Sequence, residues 1–404
     1  MKLFRALRHR PFALLWSGQT LSRLGDFVYE IALAWWVLQK TGSAETMSLV
    51  LIFAITPSVL FSLIGGLVVD RLPRVWLMLG SDAARAAVAL TVAALAYTNH
   101  LEVWHIFVAS LIFGFVDAFF QPAYAALLPQ IVPTADLPSA NSLTSMSTNL
   151  GRIGGPAVGA FLVHQLGTPA AFLINGLSFL LSGVLLAPLL LAAIAKPARA
   201  AGAASPLRDL REGFRTVLQT PWLWISILIF ALTNVTLSGP FFVSMPFLVS
   251  DNLKADVDTL GLLLAVFPIG FVLSGAWLGR YSHFRRRGLM VHATTALAAV
   301  MLGLFGLLPP LWVLLVAALI NGAALEAGHL AWLNLLQEKV PNDQLGRVVS
   351  IDAAGSFGLL PIGYALAGWA TGVLGAPAVF LIGGGFTAVV AVLALLHPSI
   401  RTLD

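Results

Sequence analysis

Along most of this chain the polar positions are confined to short intervals between apolar runs of roughly 20 residues, the length of a bilayer-spanning helix. The runs lack the apolar–polar alternation of barrel strands. Twelve can be counted, at 11–39, 45–69, 75–97, 103–128, 138–165, 170–191, 221–249, 258–279, 289–308, 311–336, 345–373 and 376–396. The first departs from the others. Within residues 18–30, Gln19, Arg23, Asp26 and Glu30 recur at i, i+4, i+7 and i+11, a polar stripe on one helical face, while Leu14, Leu21, Phe27 and Trp35 cover other faces. Charge is costly in hydrocarbon, so the stripe is predicted to face protein or water rather than lipid.

Composition turns this pattern into a class. Of 404 residues, 58% are hydrophobic and 10% charged, against about 25% charged in soluble domains, which predicts an all-α integral membrane protein. The basic start of the chain resembles that of a signal peptide, but the apolar segment behind it is too long and has no small-residue cleavage site, so it is read as the first span. The absence of cysteine excludes disulfides and thiolate metal sites, and no metal or cofactor is expected. A pI of about 9.8 does not imply nucleic acid, because the bases sit in short loops. They gather at Lys2–Arg10, Arg71 with Arg74, 196–215, Arg280 with Arg285–Arg287, Lys339 with Arg347, and Arg401, whereas the alternate loops hold only Lys40 and Lys254. That asymmetry predicts that both termini are cytoplasmic.

Residues 196–206 read as a flexible linker and 207–220 as an amphipathic surface helix, dividing the chain into a bundle at 1–191, a connecting segment at 192–220 and a bundle at 221–404. The halves share an internal register. Leu166-Gly-Thr-Pro-Ala-Ala-Phe-Leu-Ile174 matches Leu374-Gly-Ala-Pro-Ala-Val-Phe-Leu-Ile382 at an offset of 208 residues, and the same offset pairs Pro133 with Pro341, Gly155 with Gly363 and Gly176 with Gly384. The expected architecture is therefore twelve transmembrane helices in two six-helix pseudo-symmetric bundles, related by an axis along the membrane normal.

Two motifs sharpen this reading. The segment after the second run is Gly66-Leu-Val-Val-Asp70-Arg71-Leu-Pro-Arg74, and the fifth run carries Gly151-Arg152-Ile-Gly-Gly155-Pro156-Ala-Val-Gly159. With the six-plus-six pattern, they resemble the best-known motifs of the major facilitator superfamily, the second being typical of its antiporters. Phe120-Gln121-Pro122 through Pro129, and Leu336 through Pro341 with Leu345-Gly-Arg347, are similar to the drug-exporter branch that includes macrolide efflux proteins and the enterobactin exporter. The resemblance implies the major facilitator fold, with its first, fourth, seventh and tenth helices around a central cavity. By position it makes Arg23, Asp26, Glu30, Asp117, Gln121, Asn234, Glu326 and His329 candidates for that cavity.

The motif residues also have physical readings. Gly66 permits close helix approach, while Arg71 and Arg74 anchor topology and can pair with carboxylates. Asp70 is expected to dock on the helix start near Leu345–Arg347 as a cytoplasmic gate. The equivalent loop, Gly275-Ala-Trp-Leu-Gly279-Arg280, has no acid, so such a latch is one-sided, and Pro73 departs from the glycine usual in the superfamily. Gly151, Gly155 and Gly159 form a small-residue seam beside the kink-prone Pro156, which reads either as packing or as a cavity seal.

Within the runs the acids Asp26, Glu30, Asp82, Asp117, Glu326 and Asp352 outnumber the bases Arg23, Arg85 and Arg152. Asp82 and Arg85, three apart, are expected to pair, as are Arg23 and Asp26, which leaves Glu30 and Glu326 as the better proton carriers. His329 is either a proton relay or a hydrogen-bonded structural histidine. Asp352 is read as shallow and solvated. The fourth run lacks the arginine of many superfamily antiporters, so proton exchange rests on carboxylates, each proton moved inward supplying about 2.3 kcal/mol per 100 mV. Aromatic residues such as Trp16, Tyr29, Tyr124, Phe241, Phe242 and Trp332 either line a broad apolar site or pack against lipid and helices.

The expected protein is a secondary exporter of bulky amphipathic compounds, working as a monomer in the bacterial inner membrane by alternating access and proton antiport. The alternatives are an exporter of a defined compound such as a siderophore, a lysophospholipid carrier, a non-transporting sensor and, weakly supported, a membrane enzyme. No phosphate-binding loop, zinc-protease signature or serine elbow is present.

Overall fold

Helices follow one another with short connections, and local chemistry accounts for several of their boundaries. The structure is a computed structural model that describes residues 4–69, 71–191, 206–281 and 286–403. Helix α1 (Arg10–Thr41) begins with Pro11 in its first turn, where a missing N–H costs nothing, and stops at Gly42, whose left-handed backbone (φ 59°) lets its N–H reach Leu38 O at 2.8 Å. It is followed by α2 (Ala44–Val69), α3 (Arg74–Tyr97), α4 (Val103–Ile131) and α5 (Leu137–Leu186). The amphipathic α6 (Pro206–Gln219) precedes α7 (Pro221–Gly239). Beyond these lie α8 (Val257–Leu278), α9 (Arg287–Gly303), α10 (Leu311–Lys339), α11 (Asn342–Phe357), α12 (Leu360–Leu374) and α13 (Ala376–Leu396).

Ten helical stretches among the described residues are long and apolar enough to cross a membrane, where the hydrophobic pattern predicts twelve. The difference has two sources. The polar stripe keeps α1 out of the ten, and residues 134–191 count as one stretch although the sequence divides them in two. That stretch is interrupted at Gly167, whose φ of 80° and ψ of 167° are accessible only to glycine. A second departure follows α7. The expected helix at 221–249 continues to Asn252, but through π-helical turns at Pro240–Ser244 and Leu248–Asn252, where Pro240 and Pro246 remove backbone donors.

The chain forms two compact units, Met1–Gly42 with Leu49–Arg199, and Ser43–Ser48 with Ala200–Asp404. In the first, α1 lies along α5, and α3 packs on α4 and α5. The α1–α5 contact is as close as backbones allow: a Cβ on Gly155 would lie 3.0 Å from Phe27 Cγ, and one on Gly159 would lie 3.0 Å from Val28 Cα. In the second unit, α10 packs on α8 and α9, α9 on α13, and α7 on α12 and α13. Helix α6 buries Val217 in the apolar cluster around Leu335, Val348 and Ile351, and is tied to α11 by Arg347–Glu212 (2.8 Å) and Thr216–Gln344 (2.8 Å).

The offset of 208 residues reappears in the backbone. Gly375 has φ 82° and ψ 155°, the conformation of Gly167, and each is followed by a helix with proline at its start. Gly363 meets Val235 as Gly155 meets Phe27, and Gly239 meets Ala367 as Ile31 meets Gly159, so the small residue has changed sides while the helix approach is kept. Exposed aromatic rings stand at helix ends, Trp76 and Tyr97 on α3, Trp104 on α4, Trp277 on α8 and Trp312 on α10, as membrane interfaces favour.

Candidate functional site

The polar stripe of α1 is divided among different neighbours in the first unit. Gln19 is buried against α5, where its Nε2 donates to Ser182 Oγ at 2.9 Å. Ser182 in turn donates to Asp82 Oδ2 at 2.7 Å, and Asp82 pairs with Arg85 at 3.1 Å, the local pair expected from their spacing. This pair is almost fully enclosed, with Asp82 1% exposed and Arg85 6%. The guanidinium lies over two rings, 4.2 Å from the centroid of Phe120 and 4.8 Å from that of Phe179. Buried charges demand such compensation: a carboxylate with two donors, and a cation shared between a carboxylate and aromatic faces.

Arg23 and Asp26 do not pair, contrary to the expectation from their spacing. Arg23 donates to Thr148 Oγ1 of α5 and sits 5.5 Å from the Tyr124 ring centroid, while the Tyr124 hydroxyl shares a hydrogen bond of 2.9 Å with Thr144. A long arginine reaches across to a neighbouring helix at least as readily as along its own, and here the α5 hydroxyl holds it. Asp26, partly exposed, makes no hydrogen bond or ion pair among the described residues. The charges acting on it are Arg85 and the carboxylates Glu30, Asp117 and Asp82. Glu30 is exposed, and the basic group whose field reaches it is Arg152 of the helix-5 motif, also exposed. Asp117 accepts from Gln121, one turn on, at 3.3 Å. Gly151 and Gly155 cover Phe27, Pro156 is buried, and Tyr29 stacks on Phe113 with ring centroids 5.3 Å apart.

At the start of α3, Arg74 donates to Ala126 O of α4 at 2.9 Å, and Arg71 is exposed. Gly66 lies in α2. Asp70, on which the expected latch depends, lies outside the described residues, as do residues 196–205 of the connecting segment.

The second unit is built differently. Asn234 donates to the backbone oxygen of Ser356 at 2.8 Å, near the end of α11. Glu326 is partly exposed beside Gly275, and His329 is exposed. Asp352, read as shallow and solvated, is partly exposed and is also tethered: Trp332 Nε1 donates to its Oδ2 at 2.9 Å and Ser356 Oγ to its Oδ1 at 3.1 Å. Depth along a helix does not reveal which neighbour carries a donor at that level. His292 is a further polar group that the pattern did not single out. It is buried on α9, 3.2 Å from Ser226 Oγ and stacked on Phe230, inside an apolar run whose lone histidine gave no spacing signal.

Both units carry charges set into membrane-length helices, and comparison with known proteins gives that pattern a family. The profile of the transmembrane secretion effector family matches residues 2–404. The chain is 25% identical to macrolide efflux protein A of Streptococcus pyogenes over 97% of each chain. It is 28% identical to the multidrug efflux pump Tap of Mycolicibacterium fortuitum, over 98% of this chain and 97% of that one. Against the enterobactin exporter EntS of Shigella boydii serotype 18 it is 30% identical, over 71% and 68%. Among solved structures, a bacterial homologue of the iron transporter ferroportin in an inward-facing state superposes with a TM-score of 0.71 at 17% identity, covering 96% of this chain and 99% of the other. A POT family transporter in complex with 5-aminolevulinic acid superposes at 0.75 with 12% identity and 97% coverage of both, so these likenesses speak for the fold. The protein is a multi-pass membrane transporter and not an enzyme, and it belongs to the transmembrane secretion effector family of the major facilitator superfamily.

Proposed function

We propose that this transporter exports bulky amphipathic compounds from the bacterial cytoplasm by alternating access, in exchange for protons. In this reading twelve spans form two six-helix halves, 1–191 and 221–404, joined through 192–220, with both termini cytoplasmic and one chain sufficient for transport. The names of the macrolide and multidrug efflux relatives support the substrate class. The observation that carries the mechanism is the state of the α1 acids: Asp26 has no ion-pair partner among the described residues, and Glu30 is exposed, with Arg152 of the helix-5 motif acting on it. A carboxylate without a fixed partner in a membrane helix gains and loses its proton as water reaches it or leaves. In the other unit the acid that takes part in proton exchange alongside Glu30 is Glu326 on α10, with His329 one turn away. Asp117, Gln121 and Asn234 complete the cavity residues, and Gly66, Asp70, Arg71 and Arg74 form the cytoplasmic gate. The helix-5 seam of Gly151, Arg152, Gly155, Pro156 and Gly159 seals one side.

The test is transport by the purified protein in liposomes under an imposed pH gradient, comparing cationic dyes, macrolides and siderophores. Export should require the gradient, and substrate-coupled proton uptake should be lost in the Glu30→Gln, Glu326→Gln double variant. Gradient-independent movement of every substrate would reject antiport. Selective transport of siderophores would favour the second reading, a dedicated exporter of one compound, which the 30% identity to an enterobactin exporter supports.

A further inference from the structure

One polar cluster in each unit occupies an equivalent position but carries the opposite charge. Under the offset of 208 residues, Tyr124 corresponds to Trp332, Thr144 to Asp352, Thr148 to Ser356 and Arg23 to Ala231. In the first unit the aromatic hydroxyl meets the threonine, and the cation of Arg23 lies over the ring and on Thr148. In the second unit the aromatic N–H meets the carboxylate, Ser356 supplies its other donor, and α7 carries no lysine, arginine or histidine over its whole length. Both exchanges are matched in chemistry. A phenol donates and accepts, as a threonine does, whereas an indole only donates and an ionised carboxylate only accepts.

The second cluster thus keeps the ring and the polar partner of the first and reverses the charge. Asp352 is partly exposed, its two hydrogen bonds come from neutral groups, and the basic side chain whose field reaches it is His329, itself exposed. Around Trp332 stand the rings of Trp222 and Phe230, with centroids 5.6 and 5.0 Å away, each nearly perpendicular to the indole in a T-shaped contact. A carboxylate beside aromatic rings is the chemistry that selects an organic cation, because the charge and the apolar body are satisfied together. We propose that Asp352, presented by Trp332 and Ser356, receives a positively charged nitrogen or onium group of the transported amphiphile, at the position where the first unit carries its own Arg23. This assignment rests on the exporter reading and gives it a location and a charge preference.

The test uses the full-length protein in nanodiscs and two probes of similar shape, tetraphenylphosphonium, a cation, and triphenylphosphine oxide, which is neutral. Equilibrium binding is measured for the wild type, Asp352→Asn and Asp352→Glu, with empty nanodiscs as the blank. Asparagine keeps an acceptor for Trp332 but removes the charge. It should weaken tetraphenylphosphonium binding about tenfold or more while leaving triphenylphosphine oxide within about twofold, and glutamate should restore most of the loss. Equal loss for both probes, or no loss for either, would overturn the assignment while wild-type binding left the exporter reading standing. A wild-type protein that bound neither probe would overturn both.

Discussion

The two units share one backbone plan but use charge in different ways. The first places Arg23, Asp26, Glu30, Asp82, Arg85 and Asp117 within its helices. At the positions equivalent to Arg23, Asp26 and Glu30 of the α1 stripe, the second has Ala231, Asn234 and Ser238, and it adds Asp352 where the first has Thr144. Gly176 approaches Leu90 N of α3 as Gly384 approaches Gly303 N of α9, which makes Thr295 and Ala298 the counterparts in sequence of Asp82 and Arg85. Thr295 closes its hydroxyl on Val291 O at 2.9 Å, and Ala298 is fully buried. The same helix-to-helix contacts therefore hold with and without a buried ion pair, so that pair is not required by the packing plan. It is a local feature of the first unit, whose enclosure makes it expensive to half-remove.

The largest expected effect follows from that point. Arg85→Ala leaves Asp82 buried without its cation and should cost about 3–5 kcal/mol. Copying the second unit with Asp82→Thr and Arg85→Ala together removes both charges and should cost less than the single change, even though two sites are altered. Unfolding midpoints in one detergent, with a double-mutant cycle, measure this directly. A double variant less stable than Arg85→Ala would show that the two units differ in more than charge at this level.

The same contrast explains what could be read from the sequence. Apolar run lengths placed nearly every helix, and the repeat at 208 residues anticipated the shared backbone of Gly167 and Gly375, because helix length and glycine-only conformations are local properties. The pair Asp82–Arg85 was legible for the same reason, being three residues apart on one helix. Partners on other helices were not. Gln19 turns to Ser182, Arg23 to Thr148 and Tyr124, and Asp352 to Trp332, contacts set by rotation and register between helices that no single segment encodes. The π-helical turns after Gly239 were equally hidden, since the apolar pattern is continuous through Pro240 and Pro246.

A smaller effect is expected at the glycine seam. A methyl at Gly155 would press on Phe27, and one at Gly363 would lie 2.8 Å from Val235 Cα, whereas a methyl at Gly154 meets nothing within 4 Å. Gly155→Ala and Gly363→Ala should each lower stability by about 1–3 kcal/mol, the usual cost of overpacking, and Gly154→Ala should be neutral or better. The comparison tests whether the two units depend equally on close approach, which their different charge content leaves open. If Gly363→Ala were tolerated and Gly155→Ala were not, the pseudo-symmetric contact would be a structural remnant in the second unit.

The smallest effect separates the two aromatic partners. The Tyr124 hydroxyl bonds a neutral threonine, so Tyr124→Phe should cost about 0.5–1.5 kcal/mol. The Trp332 indole bonds a carboxylate, and Trp332→Phe should cost more, about 1.5–3 kcal/mol for the charged hydrogen bond before any loss of ring contact. Ring contact itself can be held apart by replacing the acceptor: in Asp352→Asn the indole keeps a neutral acceptor, and Trp332→Phe in that background should lose only what Tyr124→Phe loses plus the packing difference between indole and phenyl. Unfolding of the four variants and the wild type under identical conditions gives both differences. If Trp332→Phe cost the same with aspartate as with asparagine at position 352, the carboxylate would not be ionised in the folded protein, and the opposite charge of the two clusters would exist in the sequence but not in the membrane.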